Sequence, residues 1–344
     1  MIFGRGIRVI ALAGSAALLL AGCVGGQIDR PAEGGSVGDA DADADARVLR
    51  LAHVYEPSHA FEACGVAAMQ ESLSGTGLQI QSYPSAQLGS EAELLEQVAS
   101  GSLDAAMGGA AFLGTWYEDA AVLDAPYLFD DVDSFFANID SDDIQEIWDG
   151  LEEESGLAVE SSWYFGTRQV SANSPVREPA DLKGIKLRTP DAPLFIKSIA
   201  AMGGTATPMV LDEVYTSLQQ GAIDGQEAPI PSFESMGLAE VQDYVSLTGH
   251  IVQASNIVTS TDVLESFSDD ERAAWDEALE AGKTAAQDCV IADEEEIVEK
   301  WKADGTVEVV EDVDTAAFAE AVRSQLPDQV SFGDVYTKIV ESQQ

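Results

Sequence analysis

The chain has 344 residues, and its 46% hydrophobic residues and only 12 prolines are typical of a folded protein of about two domains. Its 61 Asp and Glu against 17 Lys and Arg give a formal net charge of −44, which removes the attraction that binders of nucleic acid and acidic lipid rely on. Such an acidic excess destabilises a compact fold unless high salt screens it, so the composition predicts a halophilic surface.

The N-terminal 22 residues have the pattern of a secretory signal peptide. Arg5 and Arg8 precede an apolar run, Val9 to Ala21, that is too short to span a bilayer as a mature anchor. The run ends in Leu20-Ala21-Gly22-Cys23, which looks like a bacterial lipobox. We therefore expect Cys23 to be the lipidated N-terminus, held on the outer face of the cytoplasmic membrane. A buried N-terminal helix is the alternative, disfavoured because no amphipathic period continues beyond the run.

Residues 23–46 are rich in Gly, Asp, Ala and Ser and end in four Asp-Ala repeats. Such a segment cannot bury enough apolar area to offset its ordering entropy, so it is predicted to be a flexible acidic linker. The folded part is predicted to begin near Arg47. Of the remaining cysteines, Cys64 and Cys289 could pair outside the membrane across a long loop, and a buried free thiol is the alternative that spacing leaves open.

From Arg47 onward, short strand patterns alternate with helical ones. Strands are predicted over 48–54, 78–83, 103–107 and 157–164, and helices over 57–73, 90–100, 142–154 and 193–202. Ser90 and Glu93 form a capping box that begins the second of these helices. A second strand–helix step follows through Thr207 and Val214. This rhythm predicts an α/β protein with mostly parallel sheets.

A long helix is predicted near the C-terminus. Ser268 and Glu271 form a capping box, and no Pro interrupts the chain from there to Gly305. A continuous helix of about 36 residues would be about 54 Å long, enough to brace two domains. A break near Gly282 is the alternative.

Positive charge is distributed very unevenly. Between residues 51 and 167 there are 22 Asp and Glu and no Lys or Arg, and six of the 17 cations then fall between Arg168 and Lys197. For three of these six, pairing with the acidic surface is the expected role. Arg168 and Arg188 each end a strand-like run, where α/β folds place ligands, and a guanidinium there can bind a carboxylate bidentately.

The residues offer little for catalysis. His53, His59 and His250 lie far apart in the sequence, and no spacing of His, Cys, Asp or Glu indicates a metal site, a nucleophile or a cofactor-binding loop. The sequence therefore favours binding over turnover and predicts no cofactor. An extracellular enzyme is the less favoured alternative.

Three motifs carry a family resemblance. The most specific is Pro179-Ala180-Asp181-Leu182-Lys183-Gly184-Ile185-Lys186-Leu187-Arg188-Thr189-Pro190, with Gly166-Thr167-Arg168-Gln169 before it and Ile223-Asp224-Gly225-Gln226-Glu227 after it. In this order, and over roughly residues 47–305, the chain resembles the DctP-type solute-binding proteins of tripartite ATP-independent periplasmic (TRAP) transporters.

The resemblance implies a two-lobed, periplasmic-binding-protein-like α/β fold with a ligand cleft between the lobes, crossing strands and a long brace helix. The expected lobes are residues 47–165 plus 256–290 and residues 166–255 plus 291–344. The implied function is a monomeric extracytoplasmic receptor that binds a small organic acid and delivers it to the membrane subunits of a TRAP permease. A receptor of the same fold that reports to a membrane sensor is the alternative.

The resemblance also implies a ligand site. Arg188 matches the arginine that binds the ligand carboxylate, and Arg168 matches a second arginine near the ligand. Asp191 is expected either to accept a hydrogen bond from the ligand or to cap the helix near Pro193. The other expected contacts are Gly109, Phe112, His59, Leu211 and Glu227. The family usually has Asn after Glu227, where this chain has Ala228, and the uncharged Gly109 and Phe112 favour a compact acid over a large polyhydroxylated one.

Overall fold

The structure of the protein is a computed structural model, and it describes residues 46–343. The predicted signal peptide, the lipidation site Cys23 and the linker up to residue 45 lie outside the described residues. Within residues 46–343, no helix combines the length and the hydropathy needed to cross a membrane.

Residues 46–343 contain nine strands and twelve α-helices. The strands are β1 (Arg47–Ala52), β2 (Leu78–Tyr83), β3 (Ala105–Gly108), β4 (Leu157–Ala172), β5 (Lys186–Thr189), β6 (Thr205–Pro208), β7 (Gly225–Pro229), β8 (Tyr244–Ser260) and β9 (Glu308–Val310). The α-helices are α1 (Ala67–Ser72), α2 (Glu91–Ala99), α3 (Ala110–Leu113), α4 (Val132–Asn138), α5 (Asp142–Ser155), α6 (Pro193–Ala201), α7 (Val214–Gln219), α8 (Ile230–Ser235), α9 (Thr261–Glu265), α10 (Asp269–Asp304), α11 (Thr315–Arg323) and α12 (Gly333–Ser342).

The strands form one mixed sheet, in the order β2-β1-β3-β8-β4-β7-β5-β6, with β9 beside β8. The pairs on the two flanks are parallel, whereas β3–β8, β8–β4 and β4–β7 are antiparallel. The prediction of a mostly parallel sheet is therefore wrong for the centre. Two long antiparallel strands stand there, because the chain crosses between the two halves of the sheet as extended backbone and not through a helix.

Strands β4 and β8 form this crossing ribbon. They have 16 and 17 residues and pair along nearly their whole length. One end of the ribbon borders β3, and the other end borders β7 and β9. The predicted strand over 157–164 ends too early, because the chain passes a register shift at Gly166, where φ is +118°, and continues as a strand.

The predicted capping boxes are confirmed. Ser90 and Glu93 begin α2, and Ser268 and Glu271 begin α10, which runs unbroken for 36 residues to Gly305. Gly282 is not a break: a Cβ atom there would lie 2.6 Å from the Trp163 ring, so the glycine allows the helix to approach the sheet closely. The predicted helix over 57–73 starts later, at a π-helical segment over Phe61–Val66 that leads into α1.

Helix α10 is tied to both halves of the sheet. Cys289 on the helix forms a disulfide with Cys64 in the π-helical segment, so the structure has the paired form of the two alternatives. Glu294 accepts hydrogen bonds from the Thr167 backbone N–H at 2.8 Å and the Tyr164 hydroxyl at 2.7 Å, beside the crossing point of β4. Farther along, Trp301 is fully buried in a second, smaller hydrophobic core with Phe233.

Candidate functional site

A cavity of about 400 Å³ opens between the two halves of the sheet. The β1 side contributes Tyr55, Glu91 and Phe112, and the β5 side contributes Arg188 and Phe195. Residues of the crossing ribbon complete the floor, so the cavity has walls from both halves. Most of the remaining lining is apolar: Val54, Ala86, Ala92, Phe165, Pro190, Met209, Val210, Leu211, Ala228 and Ala254.

Arg188 lies near the end of β5 and is 3% exposed. Its Nε and Nη2 atoms both donate to the Met209 backbone oxygen, at 3.0 and 2.7 Å. No carboxylate forms an ion pair with it among residues 46–343, and both hydrogens of Nη1 are left without a protein partner there. Burial lowers the pKa of Arg188 to about 10, with partial compensation from the more distant Glu227 and Glu91. Arg188 is therefore a cation in the cavity wall that lacks a counter-charge.

Arg168 also lines the cavity, but its charge is already neutralised. Its Nη2 donates to Glu227 Oε1 at 2.8 Å, its Nε also donates to the Glu227 carboxylate, and its Nη1 donates to Gln253 Oε1 at 2.8 Å. The prediction that Arg168 ends a strand is wrong, because it lies in the interior of β4 beside β7. This position explains the pairing, since Glu227 stands on the neighbouring strand.

Glu227, predicted as a ligand contact, is not among the residues that line the cavity, and it is the ion-pair partner of Arg168. Burial alone would raise the pKa of Glu227, but Arg168 and a hydrogen bond with His250 hold it at about 2. The His250 Nε2 atom lies 3.1 Å from Glu227 Oε2, and its Nδ1 lies 2.8 Å from Thr248 Oγ1. Glu227 is therefore ionised, and its charge is used within the protein.

The opposite wall carries carboxylates. Glu91, at the first position of α2, accepts a hydrogen bond from the Gly109 backbone N–H through Oε1. Asp124 lies behind Gly109 and accepts from the Ala111 backbone N–H at 2.8 Å and from Gln253 Nε2 at 3.0 Å. Burial raises the pKa of Glu91 to about 7 and that of Asp124 to about 6. Of these two, Glu91 faces the cavity, and no Lys, Arg or His forms an ion pair with it among residues 46–343.

Five further residues were predicted from the sequence as ligand contacts, and four of them line this cavity. Gly109, Phe112, Leu211 and the exposed Asp191 line it. Asp191 does not cap α6, whose N-cap is Ala192. The fifth residue, His59, does not line the cavity.

His59, predicted as a ligand contact, is buried one layer behind the cavity wall. Its Nε2 lies 3.2 Å from Ser232 Oγ, and Ser232 is the residue that reaches the cavity. Burial lowers the pKa of His59 to about 3, so the ring is neutral. It packs on Tyr55, with ring centroids 4.9 Å apart.

Sequence reasoning missed several cavity residues, among them Tyr55, Glu91, Phe165, Phe195 and Gln253. Glu91 carried one usable signal, because it follows the capping residue Ser90 directly and opens a helix. Phe165 and Gln253 carried none, since they belong to the crossing ribbon and reach the cavity only through the pairing of β4 with β8.

Comparison with known proteins gives consistent matches. The family DctP, described as bacterial extracellular solute-binding protein, family 7, matches residues 60–339. The sialic acid-binding periplasmic protein SiaP of Vibrio cholerae is 32% identical over 235 residues, 68% of this chain and 73% of that protein. The 2,3-diketo-L-gulonate-binding periplasmic protein YiaO of Escherichia coli is 32% identical over 265 residues, 76% of this chain and 79% of that protein.

A solved structure has the same fold. It is that of a TRAP periplasmic solute-binding protein from Roseobacter denitrificans with bound L-galactonate. The TM-score is 0.79 and the sequence identity 26%, with 85% of this chain and 98% of that chain covered.

Proposed function

Because this chain belongs to the DctP family of bacterial extracellular solute-binding proteins, we propose that its cavity captures a small organic acid through Arg188. The chain is an extracytoplasmic solute receptor of a TRAP transporter and has the two-lobed α/β fold of its structural neighbours. The names and descriptions of the relatives compared above each give an acid or its anion as the ligand: sialic acid, 2,3-diketo-L-gulonate and L-galactonate. Our proposal places the acid group of this receptor's ligand against Arg188.

The observation that carries this proposal is the missing counter-charge of Arg188. A buried guanidinium is costly unless it is paired, and the two free hydrogens of Nη1 provide donors for a carboxylate oxygen. Arg168 is a poor candidate for the same role, because Glu227 already neutralises it. Arg168 instead fixes the position of Gln253 in the cavity floor.

We further propose that the lobes comprise residues 47–165 plus 256–290 and residues 166–255 plus 291–344. Strand pairing supports the central boundaries, because β4 pairs with residues 254–260 before Gly166 and with residues 244–253 from Gly166 onward. The C-terminal segment contacts both proposed lobes: Tyr336 donates to the Pro126 oxygen, and Gln325 donates to the Ala201 oxygen. A ligand touching both lobes binds the closed state better than the open one and so favours closure.

The location of the mature receptor is proposed from the sequence. We propose that a lipid on Cys23 anchors the receptor to the outer face of the cytoplasmic membrane. We also propose that the receptor works there as a monomer and without chemical turnover. Its acidic surface is then an adaptation to salt. A Cys23→Ser variant is then expected in the soluble extracytoplasmic fraction, whereas the unmodified receptor stays with membranes.

Identification of the bound molecule tests the main proposal. Native mass spectrometry of the purified receptor, followed by denaturing release, identifies a small molecule that co-purifies. We expect an organic acid whose addition lowers the radius of gyration in small-angle scattering. A ligand without an acid group, or a radius of gyration unchanged at saturation, would contradict the proposal.

A further inference from the structure

The cavity contains a second group without a counter-charge, the carboxylate of Glu91. Its Oε1 accepts from the Gly109 backbone N–H, and its Oε2 has no hydrogen-bond partner among the residues that the structure describes. No Lys, Arg or His forms an ion pair with it in the same part of the chain. Arg188 and Glu91 are thus opposite charges on the two sides of one cavity, and neither is bonded to the other.

The uncharged polar side chains of the wall are already bonded within the protein. The Tyr55 hydroxyl donates to Ser255 at 3.0 Å, Ser232 contacts His59 at 3.2 Å, and Ser90 bonds Glu93 at 2.8 Å. Gln253 is held between Arg168 and Asp124. Few uncharged partners are left for a ligand that carries several hydroxyl groups, because a hydroxyl at any of these four side chains would have to compete with an existing bond.

Aromatic rings and acidic residues surround the same space. Four rings line the cavity, and the face of an aromatic ring attracts a cation, most strongly where water is excluded. Three of the four exposed lining residues are also acidic, so they repel an anion with two charges and attract a cation. The rings are those of Tyr55, Phe112, Phe165 and Phe195, and the exposed acidic residues are Glu93, Asp191 and Asp212.

We propose that the ligand is a zwitterion, a carboxylic acid that also bears a cationic nitrogen, with its carboxylate on Arg188 and its nitrogen at Glu91. This inference rests on the proposed function, because it takes the acid-binding role of Arg188 as given. It assigns Glu91 as the residue that selects a cationic acid over a plain or hydroxylated one. The aromatic rings then contact the nitrogen and its carbon substituents.

The proposal predicts a sign for the proton exchange on binding. Glu91 has a pKa of about 7 because of burial, and it is faced by Asp124 behind Gly109 and by Arg168 and Arg188 across the cavity. A cationic nitrogen at Glu91 lowers this pKa, so binding near pH 7 releases up to about half a proton from that group. A plain carboxylate raises it, so binding takes up protons.

The test uses titration calorimetry on the purified receptor with matched pairs of probes. The zwitterions are glycine, 3-aminopropanoate, 4-aminobutanoate, 5-aminopentanoate and 6-aminohexanoate, with their N-trimethylated forms. The comparison acids are the unsubstituted carboxylates of the same lengths. Titrations at pH 7 in phosphate and in Tris, which differ in ionisation enthalpy, give the proton exchange.

We expect at least one zwitterion to bind ten-fold or more tightly than its matched acid and to release protons. Glu91→Gln should weaken that zwitterion about ten-fold or more and leave the matched acid unchanged or tighter. Glu96→Gln, on the exposed face of the same helix, is the control and should change neither.

Two outcomes overturn the inference. If the plain acids bind as tightly as their zwitterions and depend on Arg188, the zwitterion inference is wrong and the acid-receptor function stands. If no zwitterion binds, the inference is also wrong. Binding of any probe that is unaffected by Arg188→Ala contradicts the proposed function itself.

Discussion

Glu227 on β7 neutralises Arg168 on β4, with the Arg168 Nη2 atom donating to Glu227 Oε1 at 2.8 Å. Both side chains are buried, and His250 adds a second contact to the same carboxylate. Removal of one partner of such a pair leaves a buried charge without compensation and typically costs about 3–5 kcal/mol. Arg168 therefore has a structural role, whereas Arg188 is the cavity arginine that is free to bind a ligand.

Replacement of Arg188 should abolish most of the ligand affinity. We expect Arg188→Ala to weaken binding of the identified ligand by about 2–4 kcal/mol, because the ligand carboxylate would be buried without a partner. Arg188→Lys should restore only part of this loss, since the fork geometry is missing. Arg177→Ala, which removes an exposed arginine paired with Asp312, is the control and should bind normally. Titration calorimetry that shows unchanged affinity for Arg188→Ala would remove Arg188 from the site.

The ligand-free receptor should carry a pH-dependent cost at Glu91. Burial raises its folded-state pKa to about 7, above the unfolded value, so its stabilising contribution is full below about pH 4 and is lost as the pH rises through 7. Buried His59 and His250 have lowered pKa values and oppose this trend, so the comparison must be made between variants. Glu91→Gln should match wild type at pH 4.5 and exceed it by about 1–3 kcal/mol at pH 8 in urea unfolding. A difference that does not grow with pH would show that Glu91 is not destabilised by ionisation.

The disulfide between Cys64 and Cys289 should stabilise the fold substantially. It joins residues 225 positions apart and fastens α10 to the π-helical segment over Phe61–Val66. The double variant Cys64→Ser, Cys289→Ser should lose about 2–5 kcal/mol, measured by denaturant unfolding. A reducing agent should bring wild type down to the variant and should leave the variant itself unchanged. Equal stability of oxidised and reduced wild type would contradict this role.

Salt should stabilise the folded state. With a net charge of −44 and no Lys or Arg between residues 51 and 167, self-repulsion is strong until molar salt shortens the screening length to about 3 Å. Thermal melts should rise markedly between low salt and about 2 M KCl. A variant with Asp142→Asn and Glu146→Gln on the exposed face of α5 should show a smaller rise. A melting temperature that is flat across this range would mean that the acidic surface has another cause.

Local sequence signals determined where several helices begin, where Arg188 lies in its strand and which family the chain resembles. The capping boxes at Ser90 and Ser268 and the position of Arg188 near the end of a short strand follow from neighbours within a few positions. The family was also recognisable, because the motif from Pro179 to Pro190 is contiguous in the chain. Such features need no knowledge of which distant segments meet.

The tertiary structure alone decided how the cationic residues are used. In their local sequence pattern Arg168 and Arg188 look alike. Only the pairing of β4 with β7 places Glu227 beside Arg168, whereas Arg188 has no ion-pair partner among residues 46–343. The pairing of β4 with β8 likewise brings Phe165 and Gln253 into the cavity, and only the folded structure shows His59 behind Ser232. The physical reason is that the neighbours of a buried charge in space determine whether it is paired. These neighbours come from segments separated by tens to hundreds of residues along the chain.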